Sequence, residues 1–132
     1  GAEDGRIAVD AGADALIVSN HGGRILDFNR AAIEALPEVV QAVGDKVPVL
    51  LDSGIRSGGD IVKALALGAK AVLVGRPVGW GVGAAGAEGV TRVIEVLTEE
   101  IKRVLFMTGV SSISELTTSI LIHENERWWR QP

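Results

Sequence analysis

Apolar and polar positions follow two rhythms along this chain. Short unbroken apolar runs at residues 15–18, 47–51 and 71–74 read as buried strands, the first of them extending to Ser19. Between them, apolar residues recur every three or four positions, as on one face of a helix. Residues 2–11 carry Ile7, Ala8 and Ala11 on such a face, with Gly12 as the stop. Residues 30–43 turn Ile33, Leu36, Val39 and Val40 inward behind a cap at Asp27 or Asn29. Pro37 interrupts that pattern, and a division into two pieces is expected there. Ser57 or Asp60 caps a third helix that runs through Leu67 and stops at Gly68.

Beyond Pro77 the pattern changes. A glycine-rich bridge covers residues 79–89, and a long helix then occupies residues 87–107. Val90, Val93, Ile94, Leu97, Ile101, Val104 and Leu105 recur there at helical spacing, and Gly109 closes it. Ser112 or Ser114 caps one more short helix through Leu116. Residues 117–132 are polar and charged apart from Ile120-Leu121-Ile122 and Trp128-Trp129. They are expected to form a poorly ordered tail or to pack on a partner, with His123, Trp128 and Trp129 as ordinary tail residues.

An internal repeat reinforces the strand assignments. Ala11-Gly12-Ala13-Asp14-Ala15-Leu16-Ile17-Val18-Ser19 resembles Leu67-Gly68-Ala69-Lys70-Ala71-Val72-Leu73-Val74-Gly75. Each is a helix end, a glycine stop and a strand. Apolar strands alternating with helices imply an α/β fold with a parallel sheet, in a (β/α) barrel or a doubly wound arrangement.

Composition narrows the function classes. A net charge of −4 with no basic stripe argues against a nucleic-acid partner. The absence of cysteine removes disulfide and thiolate chemistry, and His21 and His123 stand too far apart to suggest a metal site. No apolar run approaches the roughly 20 residues that span a bilayer. Glu3, Asp4 and Arg6 fall where a signal peptide would be basic and then apolar, so a cytoplasmic setting is expected.

The candidate chemistry sits at the ends of the three strands, where parallel α/β folds bind ligands. The first strand runs into Ser19-Asn20-His21-Gly22-Gly23-Arg24, a titratable base and a fixed cation around two glycines. That pairing suits chemistry on a small organic acid. The second strand ends in Asp52-Ser53-Gly54-Ile55-Arg56 and the third in Gly75-Arg76-Pro77. Glycines that let backbone N–H groups approach, the helix N-terminus after Arg56, and two arginines suit an anion such as phosphate. Asp52 suits sugar or ribityl hydroxyls, or else a helix or turn cap. Gly81-Val82-Gly83-Ala84-Ala85-Gly86 matches a dinucleotide fingerprint in letters but does not follow a strand directly, so close helix packing explains it better. Ser19 lies near His21, yet no acid is placed to orient the histidine, which disfavours a serine hydrolase.

The three strand-end motifs, in this order, resemble the C-terminal half of the FMN-dependent 2-hydroxy acid oxidases and dehydrogenases. That family includes glycolate oxidase, lactate oxidase and L-lactate dehydrogenase. The resemblance implies that residues 1–116 are the C-terminal part of a TIM (β/α)8 barrel, about strands six to eight with their helices, followed by the tail 117–132. It implies FMN as cofactor and His21 as the base that takes a proton from the substrate. Arg24 matches the arginine that grips the substrate carboxylate, and Ser19 a residue hydrogen-bonded to the flavin. Asp52, Ser53, Gly54, Ile55 and Arg56 match the segment along the ribityl chain and phosphate, with Gly75 and Arg76 as the phosphate grip.

Ile25 departs from the family pattern, where glutamine is usual, and Phe28-Asn29-Arg30 is an unusual helix start. The family's flavin-contacting lysine, second substrate arginine, tyrosines and histidine-orienting acid would all lie upstream of Gly1. The chain opens on a helical pattern with no strand before it, so it is expected to be a portion that works with a missing N-terminal barrel half. The implied reaction is oxidation of a small 2-hydroxy acid to the 2-oxo acid. The alternatives are a non-catalytic FMN- or phosphate-binding half-barrel that self-associates as a homo-oligomer, and an FMN-dependent isomerase.

Overall fold

Three short parallel strands carry the fold: β1 (Leu16–Val18), β2 (Val49–Leu51) and β3 (Ala71–Val72), side by side in that order. The computed structural model describes residues 1–122. Leu16 stands opposite Val49, and Leu50 opposite Ala71. Backbone bonds continue past the strand ends, from Asp52 N–H to the Val18 carbonyl and from Leu73 N–H to the Leu51 carbonyl, each 2.8 Å.

Alternation along the strands separates two faces. Leu16, Val18, Val49, Leu51 and Val72 point into the core with Leu36, Val39 and Val43, and with Ile61, Ala64 and Leu97. Ile17, Leu50 and Ala71 form a row in register on the other face, where Ile17 is 55% exposed. The helices all pack on the side of Leu16 and Val18, so the strands are buried on that face.

Helix α1 (Ala2–Asp10) turns Ala2, Gly5, Ala8 and Val9 toward its neighbours, while Ile7 and Ala11 are exposed. The predicted apolar face was thus rotated. Gly5 is the buried residue of the helix and faces Leu16, Val39 and Val43. Helix α2 (Ala32–Val43) passes through Pro37 undivided, and its N-cap is Ala31 rather than Asp27 or Asn29. Leu36, Val39 and Val43 are buried on both sides of Pro37 and hold the turns in line. Arg30 braces the start, pairing with Glu38 at 2.9 Å and donating to the Glu34 carbonyl.

Helix α3 (Gly58–Ala66) is capped by both predicted residues, since Ser57 and Asp60 form a reciprocal capping box. Helix α4 (Arg76–Thr108) begins directly after Gly75, so the expected glycine-rich bridge is itself helical. A break at Ala85 and Gly86 folds its first part back on the rest. There Gly81 and Gly89 touch, and a Cβ on Gly89 would overlap the Gly81 carbonyl. The small residues serve close packing, as their failure to follow a strand suggested. Gly109, at φ 72°, ends the helix.

Ser112 caps a 3₁₀ turn at Ile113–Glu115, and another follows at Thr118–Ile120, so the expected tail is regular at its start. His123, Trp128 and Trp129 lie outside the described residues. Among those residues, no helix is long and apolar enough to cross a membrane.

Candidate active site

The three strands release their chains at one end of the sheet, and the loops that leave them interlock. After Val18 the backbone enters a left-handed turn, with φ of 56° at His21, 70° at Gly22 and 71° at Gly23. Glycine adopts this region freely, whereas a histidine there is held by its surroundings. Every amide in the turn has a partner. His21 N–H donates to Ser19 Oγ at 3.0 Å, Gly22 N–H to Ser53 Oγ at 2.9 Å, and Gly23 N–H to the Asn20 carbonyl at 3.0 Å.

The loop after β2 is bent the same way, with φ of 82° at Ser53 and 85° at Gly54. Asp52 accepts from Ser19 Oγ at 2.5 Å and from Ser53 Oγ at 3.0 Å. The Ser19 bond is the main reason that the Asp52 carboxyl lies below its ordinary range; partial burial opposes it, and Ser53 adds to it. Asp52 is therefore no helix cap. Ser19 spends its proton on Asp52 rather than on the imidazole, which removes the serine-nucleophile geometry.

The anion reading needs one correction. The N–H groups of Arg56 and Ser57 donate to Asp60 Oδ2 at 3.1 and 3.0 Å, and Gly58 N–H donates to Glu100 Oε2 at 2.6 Å. Two carboxylates already occupy the first amides of α3, so that helix end does not present them to a ligand. The amides of Gly54 and Gly75 donate to nothing among the described residues. A Cβ built on either would meet only open space.

Arg56 donates to the Ile55 carbonyl at 2.7 Å and stands 6.0 Å from the Trp80 ring centre, at the limit of a cation–π contact. Arg76 reaches across the sheet end to the Gly22 carbonyl at 2.9 Å. His21 and Arg24 are exposed beside it. Nine of the ten predicted site residues line one cleft of about 170 Å³: His21, Arg24, Asp52, Ser53, Gly54, Ile55, Arg56, Gly75 and Arg76. Ser19 sits behind them, on a separate cleft of about 400 Å³ along β1 and the α1–α2 pair.

Sequence reasoning missed two participants. Glu100 arrives from α4, 42 residues after its partner Gly58, and no local pattern announces it. Asn20 encloses its Oδ1 without a partner among the described residues while its Nδ2 reaches the Arg30 carbonyl at 3.3 Å. Its place inside the first motif was the available signal.

A family model described as FMN-dependent dehydrogenase matches residues 1–123. The peroxisomal (S)-2-hydroxyacid oxidase GLO3 of Arabidopsis thaliana is 50% identical over 125 residues, covering 95% of this chain and 34% of that protein. The L-lactate oxidase of Nostoc sp. is 51% identical over 119 residues, covering 90% and 33%. A solved structure of mandelate oxidase with benzoyl-formic acid matches with a TM-score of 0.82 at 54% identity, covering 86% of this chain and 34% of that one. A mandelate oxidase variant with the monooxide FMN adduct matches with the same TM-score and identity. The chain spans about a third of the length of these relatives.

Proposed function

The chain belongs to the FMN-dependent dehydrogenase family, and on that premise we propose that it supplies the base and the anion-holding face of an enzyme that oxidises a small 2-hydroxy acid to the 2-oxo acid. The observation that carries this reading is the convergence of three strand-end loops on one cleft, with His21, Arg24, Arg56 and Arg76 on its walls.

The residues fit an FMN phosphate. Open backbone at Gly54 and Gly75 allows close approach, and Arg56 and Arg76 bring two guanidinium groups to the same cleft. Asp52 and Ser53 would meet ribityl hydroxyls. Ser19 already donates its hydroxyl hydrogen bond to Asp52, so toward a flavin ring it can only accept. When bound, FMN would supply the acceptor for the two electrons and the one proton that His21 does not take.

The chain's own part is to bind, orient and move a proton. Arg24 pairs its fork with the substrate carboxylate, a geometry lysine reproduces poorly. His21 takes one substrate proton on an imidazole nitrogen. The bonds that fix its backbone keep the ring at the cleft mouth, so orientation precedes the proton transfer.

The uncovered row of Ile17, Leu50 and Ala71 supports the barrel reading. In a (β/α)8 barrel that face would be interior, closed off by the strands this sheet lacks. We therefore place residues 1–116 as strands six to eight of such a barrel, completed by further polypeptide. A second copy of the chain is the alternative cover, and a stable homodimer in gel filtration would favour the self-associating, non-catalytic reading.

A fluorescence titration with FMN, with riboflavin in parallel, tests the phosphate grip. Saturable binding of FMN alone supports it, and equal binding of both overturns it. Binding of neither moves the site to the completed barrel.

A further inference from the structure

Gly22 is held at both ends by side chains from the other two loops. Its N–H donates to Ser53 Oγ at 2.9 Å, and its carbonyl accepts from Arg76 Nη2 at 2.9 Å. Ser53 follows β2 and Arg76 opens α4, so one residue joins all three strand ends. We infer that Ser53 and Arg76 are positioning residues for His21, acting through this two-ended grip on its neighbour. The inference deepens the proposed function, since it rests on His21 being the base.

Three features of the residues involved point the same way. Gly22 has φ 70°, and a Cβ there would lie 3.2 Å from Arg76 Nη2, so both the turn and the guanidinium's approach call for glycine. Ser53 holds φ 82°, where a side chain is unfavourable and glycine would be at ease. What serine adds is a hydroxyl that accepts from Gly22 while donating to Asp52 Oδ2 at 3.0 Å. A glycine could do neither. Arg76, for its part, gives Gly22 one of its five N–H donors and keeps the others for the cleft it lines.

Because His21 is bonded through its own N–H to Ser19 at 3.0 Å, the peptides on either side of its α-carbon are both fixed. The left-handed backbone at 56° then sets the direction in which the imidazole leaves the turn. The same arginine that lines the anion cleft thereby holds the base, so an anion that pulls Arg76 moves His21.

Amide hydrogen exchange by NMR on the chain itself tests the grip without cofactor or substrate. Ser53→Gly suits the local backbone, so it removes the hydroxyl without adding strain; Ser53→Asn, which also tolerates a left-handed backbone, is the second choice. Exchange at Gly22 is expected to quicken by up to about tenfold in Ser53→Gly, the scale of one lost hydrogen bond. Arg76→Met should shift the Gly22 carbonyl carbon and quicken Gly22, and Arg76→Lys, which keeps a donor, should return both part of the way. The sheet amides of Asp52 and Leu73 should stay unchanged, which a general loosening would not allow. Gly22 exchange unaltered in both the Ser53 and Arg76 variants, or raised only together with those sheet amides, overturns the inference. Equal binding of FMN and riboflavin would count against the proposed function and leave this result standing.

Discussion

Ser19 Oγ donates to Asp52 Oδ2 at 2.5 Å, joining the end of β1 to the end of β2 by a side-chain bond beyond their backbone pairing. That bond is the chief cause of the lowered Asp52 carboxyl pKa. A carboxyl whose folded pKa lies below its unfolded value contributes stability above the unfolded pKa and loses it as pH falls through the folded one. Ser19→Ala should therefore raise the Asp52 midpoint toward the ordinary range and shrink the stability that this carboxyl contributes above its unfolded pKa and loses in acid. A carboxyl-carbon NMR titration reads the midpoint directly, and an unmoved value would mean that Ser53 and the backbone suffice.

Gly58 packs so closely on α4 that a Cβ would lie 2.5 Å from both Glu100 Cβ and Ile101 N. Since the second of these is backbone, it cannot swing away. Gly58→Ala should cost about 1–3 kcal/mol, the range for overpacking, seen as a lower urea midpoint. Glu100→Ala, which removes the acceptor for Gly58 N–H, should cost about 1 kcal/mol by analogy with a lost helix cap.

In the completed enzyme, His21→Ala should lower kcat by about 10²–10⁴-fold, the usual worth of a general base. Arg24→Lys should act mainly on KM by loosening the grip on the carboxylate. Steady-state kinetics with a 2-hydroxy acid separates the two effects. Arg24→Met with unchanged turnover would instead favour the isomerase alternative.

Gly89→Ala would set a methyl group into the Gly81 carbonyl. The two parts of α4 should separate at Ala85 and Gly86, with a loss of about 1–3 kcal/mol. Gly83→Ala, where a Cβ meets nothing within 4 Å, is the matched control and should be neutral or slightly stabilising through helix propensity.

How much of this was legible in the letters depends on the range of the forces involved. The strand at residues 15–19 and its repeat at 71–74 were readable because apolar runs and glycine stops are local. That Ile17 would face outward was not, since exposure depends on which side the helices take. Pro37 reads as a helix breaker until Leu36, Val39 and Val43 are seen buried on either side of it. The glycines from 79 to 89 read as a linker, because the benefit of a glycine contact appears only once its partner is known. At the site, residue types were enough to bring nine positions to one cleft. Ser53's left-handed backbone and the reach of Arg76 to Gly22 were hidden, because neither changes the local pattern.

Glu100 at the start of α3 also bears on the order in which the molecule is finished. A chain growing from its N-terminus makes Arg56 and Gly58 long before it makes residue 100. Until that carboxylate arrives, Gly58 N–H lacks its acceptor and the loop carrying Arg56 leans on Asp60 alone. The His21 turn can be set early, by Ser19 and Ser53, whereas the loop carrying Arg56 waits for the turn of α4 that carries Glu100. Along the growing chain, the proposed base is thus set before the proposed phosphate grip is finished.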